Sequence, residues 1–271
     1  MDSRRYEFTF RRGGFGGDEE DAHPGGAGKL TGFRKLWLIL GVIGILYLIH
    51  IGLSGPGYLV TLLIEYGLLI PIVLISLTVH EYAHARLADF LGDPTPRVEG
   101  RVSLDPRRHL DFLGTLLLFT AGFGWAKPVP VNPGYFRVPD RAMFFVSAAG
   151  PISNLLLALF GGFLAKLGLT TLAPYFDSTL SKQIYFAFVQ SFMFINLGLA
   201  LFNLLPVHPL DGSHLLSFFL SPSQRFRLRQ SAGTLTIVLF MMVAFGLISS
   251  FLSPAVRYLY RAILSLYGIG I

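Results

Sequence analysis

The chain has 271 residues, no cysteine, a formal net charge of +6, and 14% charged against 52% hydrophobic residues; an ordinary soluble domain carries about a quarter charged residues. This balance excludes a soluble domain as the main body, and the lack of thiols excludes disulfides and cysteine-held metal, leaving His, Asp or Glu for any transition metal. The basic residues sit beside apolar runs, as in membrane topology signals, and form no recognition module, so no nucleic-acid partner is expected.

Residues 1–31 mix Arg pairs, Gly-rich pieces and the acidic run Asp18 to Asp21. They bury too little apolar surface to offset ordering entropy and read as a flexible cytoplasmic tail. Leu36 to Leu53, preceded by Arg34 and Lys35, is long enough to span a bilayer as a helix starting on the cytoplasmic side. Tyr58 to Leu91 is too long for one perpendicular span, and Pro71 is expected to kink or divide it.

The polar stretch Gly92 to Asp111 carries Arg97, Arg101, Arg107 and Arg108 and is expected to be cytoplasmic. Alternation over Arg97 to Val102 predicts short strands. Phe112 to Ala126 is short and broken by glycine, which suits a re-entrant or interfacial segment better than a span. Met143 to Leu167, Ile184 to Leu205 and Ala232 to Leu252 each have spanning length, and Arg225, Arg227 and Arg229 place the connection between the last two in the cytoplasm.

The expected fold is thus an all-α polytopic membrane protein with about five to six transmembrane helices and a small β-strand or re-entrant element after the second of them. Residues 32–252 would form the membrane domain, and 253–271 an interfacial or short transmembrane segment.

His80-Glu81-Tyr82-Ala83-His84 is the strongest chemical signal. Histidines four apart project from one helix face, where one zinc ion can bridge them, and Glu81 is placed to take a proton from activated water. In an apolar run such ionisable groups need a compensating partner. A catalytic zinc wants a third protein ligand from elsewhere. Asp211 is the candidate, because Pro206 and Pro209 break the preceding helix near it; a helix-cap or turn role is its other reading. His208 and His214 are alternative ligands beside it, whereas His50 and His109 lack paired spacing and read as interfacial or loop residues, and His23 belongs to the tail.

His80 to His84, Gly150-Pro151-Ile152-Ser153-Asn154 and the stretch Asn203 to Gly212, with Gly124 to Pro133 in support, make the sequence similar to the site-2 protease family of intramembrane zinc metalloproteases, in the compact branch without a PDZ domain. The resemblance covers roughly residues 68–216. It implies His80, His84 and Asp211 as ligands of one zinc ion, Glu81 as general base, and a role for Asn154 near the substrate backbone or the oxyanion; an intramembrane Asn can also simply hydrogen-bond across helices. The implied activity is endoproteolysis of a transmembrane protein substrate in the lipid bilayer, with the active site toward the cytoplasm. A catalytically silent scaffold of the same fold is the rival expectation, distinguished by a missing ligand or base, and none is missing here. A transporter would show a continuous polar path or repeat symmetry, and the sequence shows neither.

Overall fold

The computed structural model describes residues 56–111, 114, 117, 124 and 126–270. The chain divides into two units, Met1–Thr61 and Leu62–Ile271, and the second holds His80, His84, Asn154 and Asp211. The expected tail, the expected span Leu36 to Leu53 and most of Phe112 to Ala126 lie outside the described residues.

The first helix, α1 (Pro56–Phe90), runs through Pro71 without dividing. A proline inside a helix removes one N–H and crowds the carbonyl four residues back; here that residue is Gly67. α1 stops where Gly92 adopts φ +108, with Gly92 N–H donating to Asp89 O and Asp93 N–H to Ala88 O, a Schellman closure that a residue with a Cβ adopts poorly.

Beyond α1 the expected strand over Arg97 to Val102 is not formed. Thr95–Val98 is a single helical turn, because Pro94 and Pro96 pre-set a helical φ at its start and Gly100, at φ +69, turns the chain afterwards. Among the described residues β pairing is limited to one antiparallel bridge, Leu110 with Ala126. Two buried charges hold the loops together. The Asp93 carboxylate accepts from Thr95 N–H at 3.0 Å and Asn132 N–H at 2.7 Å. The Arg101 guanidinium donates to the carbonyls of Arg108, Lys127 (3.2 Å) and Pro128 (2.8 Å).

α2 (Pro139–Thr170) and α3 (Thr179–Asn203) follow, the latter started by a capping box between Ser178 and Ser181. With the segment Tyr66–Phe90 they are the three described helices long and apolar enough to cross a membrane. Lipid is as apolar as leucine, so such helices associate through close packing rather than a hydrophobic drive. Ala158 and Ala165 of α2 meet Val189, Met193 and Leu197 of α3 in a core that also takes Val256, Ile263 and Leu264 from the C-terminal helix. Gly161 lets Met193 approach so closely that a Cβ would lie 2.5 Å from its Cγ.

After α3 the chain forms two short helices, α4 (Asp211–Phe219) and α5 (Pro222–Gln230), and α5 is tied to the start of α2 by Arg225 and Asp140 at 2.7 Å. The expected span Ala232 to Leu252 is instead broken. α6 (Ala232–Ala244) and α7 (Leu247–Leu266) meet at a 74° bend on Gly246, whose φ is +70. The expected boundary at residue 253 falls inside α7, which buries Val256, Ile263 and Leu264. Counting the bent pair as one, the described residues offer up to four spans.

Candidate metal centre

α1 and α2 face each other along two stripes of residues spaced by four, Ser76, His80 and His84 on one and Val146, Gly150 and Asn154 on the other. The i, i+4 period of the α-helix puts each set on a single face. Asp211 reaches the histidines from the first turn of α4. Leu210, just before it, is buried with Leu239 and Ile248, and Gly212, just after it, lies so close to the carbonyls of Leu204 and Leu205 that a Cβ would stand 2.3 Å from both oxygens.

The three side chains converge. His80 Nε2 and His84 Nε2 are 3.0 Å apart, and each lies 3.3 Å from Asp211 Oδ2. Both rings are held from behind, His80 with Nδ1 2.6 Å from Asn154 Oδ1 and His84 with Nδ1 2.7 Å from the backbone carbonyl of Val146. A carbonyl only accepts, so Nδ1 of His84 carries the proton and its Nε2 presents a lone pair. Asp211 Oδ2 is buried and has no hydrogen-bond partner, only the two Nε2 atoms at 3.3 Å.

Three electron-rich atoms aimed at one point repel unless a cation lies among them. Around a tetrahedral zinc with bonds of about 2.0–2.1 Å, ligand atoms stand about 3.3–3.4 Å apart, close to the separations seen here. The donor set therefore fits a divalent metal held by two imidazoles and one carboxylate. Among the described residues this is the group of His, Asp and Glu side chains that can hold an ion.

Glu81 is partly exposed beside the cluster, and its carboxylate contributes none of the three converging atoms. His208 is exposed with Nδ1 against Thr236 Oγ1 at 3.3 Å, His214 is also exposed, and neither joins the cluster. His109 is a buried loop residue bonded to the Ser103 carbonyl. Asn154 is fully buried and sits behind His80, with its amide nitrogen already donating to Ser76 O at 3.3 Å and Asn196 Oδ1 at 2.8 Å.

The sequence reading missed two contributors. Asn196 is a polar residue in an apolar run, a signal that was present. Gly150 stands in a motif already singled out, but its task is visible only in three dimensions, since a Cβ there would lie 2.3 Å from His84 Nε2 and 2.6 Å from His80 Nε2. Gly150→Ala should favour the α2 helix by about 1 kcal/mol in propensity and still weaken zinc binding by on the order of 10–100-fold, the cost of disturbing ligand orientation. Chelator competition on folded protein checks this, and wild-type affinity would show that the imidazoles can move aside at no cost.

The family model described as Peptidase family M50 matches residues 167–248, a stretch that holds Asp211 but not the two histidines. The chain is similar to the Bacillus subtilis (strain 168) protein named "Putative zinc metalloprotease YwhC", 40% identical over 200 residues, which cover 72% of this chain and 89% of that protein. It is similar to "Putative zinc metalloprotease Rip2" of Mycobacterium tuberculosis, 34% identical over 177 residues, 62% of this chain and 64% of that one. No solved structure matches the chain.

Proposed function

Because the chain belongs to peptidase family M50, the site-2 protease family, we propose that it is a zinc endopeptidase that hydrolyses peptide bonds within or next to transmembrane segments of other membrane proteins. The observation that carries this reading is the convergence of His80, His84 and Asp211 at a point where two of them belong to a membrane-length helix. One zinc ion per chain would be held by the two Nε2 atoms and Asp211 Oδ2. When bound, it supplies Lewis acidity, lowering the pKa of water to about 7 and polarising a carbonyl.

The remaining steps fall to the chain's own side chains. Glu81 accepts a proton from the attacking water as its oxygen adds to the scissile carbonyl carbon, and delivers it to the leaving nitrogen as the C–N bond breaks. Asn154 and the Val146 carbonyl keep both imidazoles turned toward Asp211.

Peptide bonds in a substrate helix are hydrogen-bonded, so the segment must unwind locally before it is cut. An unwound stretch can add as a strand beside an exposed backbone edge. Arg97 to Val102 is helix and turn, so the side of the Leu110–Ala126 bridge is the better place for it. The Arg-rich loop after α1 and the Arg225, Arg227 and Arg229 cluster after α4 support a cytoplasmic position for the site. Cuts at that depth would release cytoplasmic portions of the substrates, as in regulated intramembrane proteolysis.

The test is to purify the chain in detergent, measure zinc per chain, and incubate it in vesicles with single-span reporter proteins. About one zinc is expected, with cuts mapping by mass spectrometry inside or beside the reporter span, abolished by a chelator and restored by zinc. Cuts confined to soluble parts of the reporters would remove the intramembrane element of the reading.

A further inference from the structure

We propose that Asn196 is a positioning residue of the metal centre, acting through Asn154 to decide which nitrogen of His80 carries its proton; the proposal rests on the zinc reading. A neutral imidazole has one protonated nitrogen, and His80 Nε2 can serve as a ligand only when the proton is on Nδ1. Nδ1 lies 2.6 Å from the Asn154 side-chain oxygen. A carboxamide has an oxygen on one side and an NH2 on the other. Turned over, Asn154 would present NH2 to Nδ1, the proton would move to Nε2, and coordination would be blocked.

What holds the carboxamide the right way round is a chain of bonds that starts at backbone carbonyls. The Phe192 carbonyl takes a hydrogen bond from Asn196 Nδ2 at 2.9 Å, and the other hydrogen of that nitrogen goes to Ser76 Oγ at 2.9 Å. Asn196 must therefore turn its oxygen toward Asn154, whose Nδ2 it meets at 2.8 Å. The Ser76 carbonyl, 3.3 Å from the same nitrogen, makes the same demand. Carbonyl oxygens only accept, so His80 Nδ1–H donates to Asn154 Oδ1, Asn154 Nδ2 to Asn196 Oδ1 and Asn196 Nδ2 to the Phe192 carbonyl.

Ser76, Asn154 and Asn196 are each 0% exposed. A reversed Asn154 would therefore set oxygen against two oxygens where water does not compete. α3 thus acts on the site without supplying a ligand.

The simpler role for a buried Asn pair between membrane helices is to join them. Joining alone predicts lower thermal stability with unchanged zinc affinity, whereas positioning predicts a change in affinity itself. The measurement is the zinc dissociation constant of the full chain in detergent, by chelator competition, for wild type, Asn196→Leu, Asn154→Leu, the double variant and His80→Ala. Asn196→Leu keeps the same branched heavy-atom skeleton without the amide and should weaken zinc binding about 10–100-fold, as loss of an outer partner of a metal histidine does.

The double variant should bind no worse than Asn154→Leu alone, because the effect of Asn196 passes through Asn154. Wild-type affinity in folded Asn196→Leu, or losses that add in the double variant, would overturn the proposal and leave the zinc reading standing. A wild type that binds no more zinc than His80→Ala overturns both. Should Asn196→Leu not fold, Asn196→Ser serves in its place; its hydroxyl is too short to reach Asn154, and the same loss of affinity is expected.

Discussion

Glu81→Gln should retain one zinc per chain and cut a reporter on the order of 10²–10⁴-fold more slowly than wild type, the contribution of a positioned general base. The three atoms that converge on the metal point belong to His80, His84 and Asp211. Glu81 follows His80 on α1, so helix geometry turns it off the His80–His84 face, and its side chain is partly exposed. Glutamine matches its size but cannot accept the proton, so metal content and fold should stay as they are. Single-turnover cleavage beside a zinc assay separates the possibilities. A variant that cuts at the wild-type rate places the base elsewhere, and one that loses zinc makes Glu81 part of the metal's support.

Asp211→Ala should weaken zinc binding by at least about 100-fold, since disturbing an outer partner alone costs 10–100-fold and this change removes a direct donor. The histidines would remain, held by Asn154 and the Val146 carbonyl, and two ligands do not make a tight zinc site. The fold should survive, because α4 is anchored by Leu210 and Gly212 rather than by the carboxylate. Metal analysis against a graded chelator series reads the effect. Undiminished zinc in Asp211→Ala would bring His208 and His214 back as donors, which their exposure and their absence from the converging group argue against.

The two predictions differ in how far each was legible beforehand. Composition and run length announced membrane helices at α1, α2 and α3, because a span is a local property of about 20 consecutive apolar residues. They did not announce the bend at Gly246, since the residues on either side are equally apolar and hydropathy is blind to a φ of +70. Alternation over Arg97 to Val102 pointed to a strand, and the prolines at 94 and 96 overrode it by fixing the backbone angle.

The same division runs through the candidate site. That His80 and His84 share a face, with Glu81 beside them, was determined by the sequence alone, because the helical repeat relates residues four apart whatever surrounds them. Only the tertiary structure decided that Asp211 Oδ2 arrives 3.3 Å from both imidazoles, that Gly150 leaves room for them, and that Asn196 reaches His80 through Asn154. These relations join residues far apart in the chain. They are set by how closely α1, α2, α3 and α4 pack and by which buried polar groups must find partners, and no local period encodes either.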